Sequence, residues 1–103
     1  MRLSESQRRS IVREVSRCFG PEATVRLFGS RVDDSRRGGD IDLYVDTPCA
    51  DPDALVEAKL CLLAALDGYP ALEGEKIDVV IHSPLHTDER PIDRVARQEG
   101  IRL

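Results

Sequence analysis

Apolar positions along the chain change period several times, and each change marks an element. Ile11, Val12, Val15, Cys18 and Phe19 recur every three or four residues. That spacing makes one apolar stripe on a helix whose other faces are rich in arginine. Ser4-x-x-Gln7 opens it with a capping-box pattern and Gly20-Pro21 stops it, so the spacing predicts a helix over residues 5–19. Residues 23–28 read as a strand with Val25, Leu27 and Phe28 apolar, broken by Gly29-Ser30. Residues 32–39 are polar, end in two glycines and read as a loop. Ile41, Leu43 and Val45 then alternate with Asp40, Asp42, Tyr44 and Asp46. Period two means a strand with one apolar face.

Asp51 is a natural N-cap, and Pro52 suits the first helical position. Leu55, Leu62, Leu63 and Leu66, with Cys61 and the alanines, carry a second helix through about Asp67, ended by Gly68. Residues 68–75 read as a linker. Ile77 to Ile81 is a third strand, ended by Ser83-Pro84. A short last helix runs from Arg90 or Pro91 to Glu99, with Ile92, Val95 and Ala96 inward and Gly100 as its cap.

The second strand, second helix and third strand form a β-α-β unit, which lets its two strands lie parallel. The loop between the first and second strands is too short for such a crossover, so that pair is expected to be antiparallel. The expected fold class is α+β, a small mixed sheet flanked by helices, as one domain over residues 1–103.

The net charge of −4 argues against direct nucleic-acid binding. No apolar run is long enough to span a bilayer, and the first residues lack the apolar stretch of a signal peptide. Three cysteines, Cys18, Cys49 and Cys61, lie far apart in an odd number without zinc spacing. A reduced cytoplasmic protein is the expectation. The charge is unevenly spread. Residues 1–39 carry nine Arg and five acids, a net of +4, whereas residues 40–103 carry six Lys/Arg and fourteen acids, a net of −8. A cleft where arginines meet phosphate and carboxylates meet metal is one reading of that split; two solvated faces are the other.

The candidate chemistry sits where the acidic half begins. Asp40 and Asp42 lie two apart on a strand, so alternation puts both carboxylates on one face. Carboxylates that close repel unless a cation intervenes, and oxygen ligands of this kind suit Mg²⁺ or Mn²⁺. Asp78 interrupts the apolar strand Ile77-Asp-Val-Val-Ile81, where a charge is costly unless paired or metal-bound. If the second and third strands are neighbours, Asp78 joins the other two on one rim. Three such acids can hold two divalent ions roughly 3.5–4 Å apart for an in-line phosphoryl displacement. Gly29-Ser30, at a strand end, offers close backbone approach and a hydroxyl for phosphate oxygens. Arg31, Arg36 and Arg37 could neutralise a triphosphate. Each piece also has a plain alternative: a turn, solvated acids at a strand entry, or Asp78 paired with Lys76 or an arginine.

The ordered set is more specific than its parts. Leu27-Phe-Gly-Ser-Arg31, the polar loop and Gly39-Asp-Ile-Asp-Leu-Tyr-Val45 resemble the DNA polymerase beta-type nucleotidyltransferase superfamily. The resemblance is nearest to its minimal nucleotidyltransferase branch, the MNT proteins, and covers nearly the whole chain. It implies that Gly29 and Ser30 bind the triphosphate. It implies that Asp40 and Asp42 ligate both metals, and that Asp78 ligates the catalytic metal and assists deprotonation of the acceptor hydroxyl. One departure is small: nine residues separate Ser30 from Asp40, where the family commonly has ten.

The function that follows is Mg²⁺-dependent transfer of a nucleoside monophosphate, AMP from ATP, to a hydroxyl. A single domain suggests an acceptor on a partner protein. Many MNT proteins are antitoxins of HEPN-domain RNase toxins, so the resemblance implies a toxin tyrosine as acceptor. Two alternatives stay open: an antitoxin that works by docking, or a small-molecule nucleotidyltransferase with a separate acceptor subunit. Homo- or hetero-oligomers also remain open. His82 and His86 read as surface or structural histidines, and Tyr44 either stacks on a base or packs.

Overall fold

Ser4 and Gln7 close the capping box that their spacing predicts. The Gln7 amide donates to Ser4 Oγ at 3.0 Å, and the Ser4 amide donates to Gln7 Oε1 at 3.0 Å. Helix α1 then spans Glu5–Phe19 and buries Ile11 and Val15. The computed structural model describes residues 1–33, 35 and 39–103. Strand β1, Thr24–Phe28, runs directly into a 3₁₀ turn over Gly29–Val32. Strand β2 covers Ile41–Asp46. Asp51 accepts from the Asp53 amide at 3.1 Å and opens helix α2, Pro52–Asp67. Strand β3 is Ile77–His82 and helix α3 is Pro91–Glu99.

A fourth strand, β4 (Ile101–Arg102), follows α3 and was not anticipated. Two residues are too few to show a period. Their pairing, Arg26↔Arg102 and Leu27↔Ile101, depends on where α3 delivers the chain. Gly100 makes that exit feasible, because a Cβ there would collide with the Ala96 carbonyl oxygen.

The strands form one sheet in the order β3-β2-β1-β4. β1 is antiparallel to β2 and β4, and β2 is parallel to β3 across the α2 crossover. Among the described residues the protein is therefore an α+β fold with a four-stranded mixed sheet and three helices. Alternation assigns the faces. Val25, Leu27, Ile41, Leu43, Val45 and Val79 meet Ile11 and Val15 of α1 and Leu62 and Leu66 of α2. On the other face Phe28 and Tyr44 pack with Ala96, Ile92 and Val80, so α3 covers part of it. Asp42 and Asp78 share this second face.

Helices α1 and α2 lie side by side on the first face, and a disulfide joins Cys18 to Cys61 across them, with Cα atoms 5.9 Å apart. This corrects the expectation of reduced thiols throughout. The two cysteines are 43 residues apart in sequence, and only the shared packing surface brings them together. Cys49 is free. Helix α2 is apolar almost all round: Val56 and Leu60 are 60% and 62% exposed. Among the described residues no helix is long and apolar enough to cross a membrane.

Candidate metal and phosphate site

Parallel pairing of β2 with β3 puts Asp42 directly beside Asp78. Neighbouring strands are about 4.8 Å apart, so these two carboxylates rise from adjacent positions on one face. Asp78 is exposed and Asp42 half-buried. Asp40 lies just before β2, with its carboxylate 3.6 Å from the Lys76 ammonium. Lys76 thus pairs with Asp40 rather than with Asp78.

Asp42 binds its proton more tightly than an ordinary carboxyl. Burial is the largest cause, followed by the negative charges of Asp78 and Asp40, with Lys76 opposing. Asp42 therefore senses both of the other acids. The three do not close into a ready cage, however: among the described residues no three His, Cys, Asp or Glu side chains already meet as a metal-ligand group. The donor set still suits a hard divalent cation, being all carboxylate oxygen with excess negative charge partly withdrawn from water.

The Gly-Ser corner meets these acids. Gly29 adopts φ +77°, a conformation that glycine alone takes readily, and a Cβ there would strike the Asp42 carboxylate. Gly39 adopts φ +90°, and a Cβ there would strike Ser30 Oγ. So the turn after β1 lies against Asp42, and Ser30 lies against the residue preceding Asp40. Phe28 pairs with Asp42 in the antiparallel register, which fixes that closeness.

Arg31 is held by the protein itself. Its Nη2 donates to Glu75 Oε2 at 2.6 Å, Nη1 to the Arg2 carbonyl at 3.0 Å and Nε to the Gly39 carbonyl at 3.2 Å. Arg36 and Arg37 lie outside the described residues. Glu75 and Arg2 carried no signal in the sequence, because their contacts with Arg31 span 44 and 29 residues.

Tyr44 packs rather than stacking on a base. It is 1% exposed, and its hydroxyl donates to Asp93 Oδ1 at 2.8 Å. Burial, reinforced by this bond, pushes the phenol up to about 12. Asp93 is fully buried yet stays well below the usual carboxylate range. The cause is first the Arg90 guanidinium, then the Arg90 amide and the Tyr44 hydroxyl, all opposing the cost of burial.

At the opposite end of β2 and β3 a cleft of about 620 Å³ is lined by Glu22, Thr24, Asp46, Thr47, His82 and His86, among others. His82 Nδ1 lies 3.0 Å from Asp46 Oδ1, and its ring stacks between Tyr44 and His86. The histidines are thus tied into packing, and none of the candidate site residues lines this cleft.

No protein-family model, curated protein or solved structure matches the chain.

Proposed function

We propose that this chain is a Mg²⁺-dependent nucleotidyltransferase of the minimal polymerase beta-type. It would transfer AMP from ATP to a hydroxyl of a partner protein. The observation that carries the reading is the register of Asp42 with Asp78, with the Gly29-Ser30 turn against Asp42 and next to Asp40. Acidic oxygens beside a glycine-serine turn are what a metal–triphosphate complex needs.

Asp40, Asp42 and Asp78 would hold the divalent cations, two Mg²⁺ or Mn²⁺. A bound cation neutralises phosphate charge and acidifies the attacking hydroxyl. Gly29 lets the turn lie against the Asp42 carboxylate, and Ser30 Oγ would donate to the triphosphate. Asp78, the exposed member, reaches the acceptor and takes its proton. The acceptor oxygen bonds to the α-phosphorus, the bond to the bridging oxygen breaks, and pyrophosphate leaves. Asp42 is already half-desolvated, so its interaction with a cation is less screened by water.

The partner is argued from family resemblance: a HEPN-type toxin modified on a tyrosine, with this chain as its antitoxin. The exposed Val56 and Leu60 on α2 favour a second reading, in which docking alone neutralises the partner. The test is incubation with Mg²⁺, ATP labelled at the α-phosphate and the co-purifying protein, beside Asp42→Ala. Label on the partner that vanishes in the variant supports transfer. No label on any acceptor, with neutralisation intact in Asp42→Ala, leaves docking.

A further inference from the structure

We propose that Arg31 is a positioning residue that clamps together the segments bearing the candidate site, with Glu75 as its anchor. The inference rests on the reading of the site given above. Arg31 directly follows Ser30. Its Nε bond goes to the carbonyl of Gly39, the residue before Asp40. Its Nη2 bond goes to Glu75, three residues before Asp78 and adjacent to Lys76. Its Nη1 bond goes to the Arg2 carbonyl on the N-terminal arm. One planar group thus touches each segment that leads into the site.

The arm closes the arrangement from its side. The Arg2 amide donates to the Arg31 carbonyl at 2.8 Å, and the Arg2 guanidinium donates to the carbonyls of Ser30 and Asp33 at 2.8 and 2.9 Å. The carbonyls of Ser30, Arg31 and Asp33 are therefore tied to the arm. The Ile41 amide already joins the approach to β2 to the Lys76 carbonyl, and the Arg31 bonds add the links from the turn to both approaches.

A phosphate contact by Arg31 would have only the two N–H groups left over from these three bonds. Its side chain is 12% exposed and that of Glu75 is 27% exposed, so the pair is largely withdrawn from water. A guanidinium offers five N–H groups in a rigid fork, and three directions of that fork are already taken. Lysine, a point charge with no planar fork, cannot bridge the same three acceptors.

The test uses Arg31→Ala, Arg31→Lys, Glu75→Ala and the double alanine variant of the full chain. Two readouts are needed: backbone amide exchange in metal-free buffer, and Mn²⁺-ATP binding alongside kcat with the partner acceptor. A clamp predicts amide exchange at residues 29–31 and 39–41 about tenfold faster in either single alanine variant, with the double variant no faster than the singles. It also predicts that Glu75→Ala lowers kcat as Arg31→Ala does, that Mn²⁺-ATP affinity changes little, and that Arg31→Lys fails to restore either property. A phosphate-ligand role predicts the reverse: Arg31→Ala weakens Mn²⁺-ATP binding about tenfold or more, and Glu75→Ala leaves it unchanged or tightens it. That result, or unchanged exchange in Glu75→Ala, overturns the clamp. Absence of Mn²⁺-ATP binding by the wild-type chain sinks the nucleotidyltransferase reading instead, and the exchange cycle still decides the clamp.

Discussion

Opening the Cys18–Cys61 disulfide should cost this protein a large share of its stability. The bond joins residues 43 apart and encloses β1, the Gly29-Ser30 turn and β2 in its loop. In the chain-entropy treatment, a closed loop of that length removes ~13 cal/mol/K from the unfolded ensemble, or about 4 kcal/mol at 25 °C. Domains of this size are stable by only about 5–15 kcal/mol, so reduction removes a quarter or more of the total. Each kcal/mol moves the midpoint of a domain near 100 residues by about 4–8 °C, so melting should fall by roughly 15 °C or more. The assay is thermal and urea unfolding followed by circular dichroism, with and without excess dithiol reductant. Cys18→Ser and Cys61→Ser should each melt as the reduced wild type does and lose all sensitivity to reductant. Cys49→Ser should keep the full shift. Coincident melts with and without reductant, or three titratable thiols in the folded air-oxidised protein, would refute the reasoning.

Four further expectations follow from named contacts. Gly29→Ala forces a side chain into a positive-φ conformation and against the Asp42 carboxylate; it should cost about 1–3 kcal/mol by urea unfolding and weaken Mn²⁺ binding, and a neutral substitution contradicts the placement. Tyr44→Phe removes a buried bond to ionised Asp93 and should cost about 1.5–3 kcal/mol, read by calorimetry. Asp93 holds its proton more weakly folded than unfolded, so its contribution is complete above the usual carboxylate range and is lost as pH falls through that range and below; Asp93→Asn should be less stable at neutral pH and show a flatter acid limb, and parallel acid limbs would count against it. In metal-free buffer Asp42→Asn should melt higher than wild type, since burial, Asp78 and Asp40 all oppose its charge, while Mg²⁺ should raise the wild-type midpoint and leave the variant's unchanged.

Much of the fold was legible because its signals are local. The capping box at Ser4, the period-two run from Ile41 to Val45 and the Asp51-Pro52 start of α2 each depend on residues within one or two turns, and each lies where the pattern placed it. The length of the crossover allowed β2 and β3 to lie parallel, and they pair that way. Strand β4 escaped because two residues carry no period. Among the candidate site residues, alternation put Asp40 and Asp42 on one face, but β2 begins only at Ile41, so Asp40 stands just outside the strand. The packing of Tyr44 against α3 was not readable, because its partner Asp93 lies 49 residues away. The setting of Arg31 was hidden for the same reason.

Residue order alone determined the longer elements, the main apolar faces and the placing of three acids near strand starts, since helix and strand periods and end signals act over a few residues. Only tertiary structure decided that Asp42 stands beside Asp78, that Gly29 abuts Asp42, that Cys18 meets Cys61 and that Arg31 is enclosed by Glu75, Gly39 and Arg2. Those contacts join segments tens of residues apart. Their selection comes from burying both faces of one sheet together, a condition that no local stretch of chain can express.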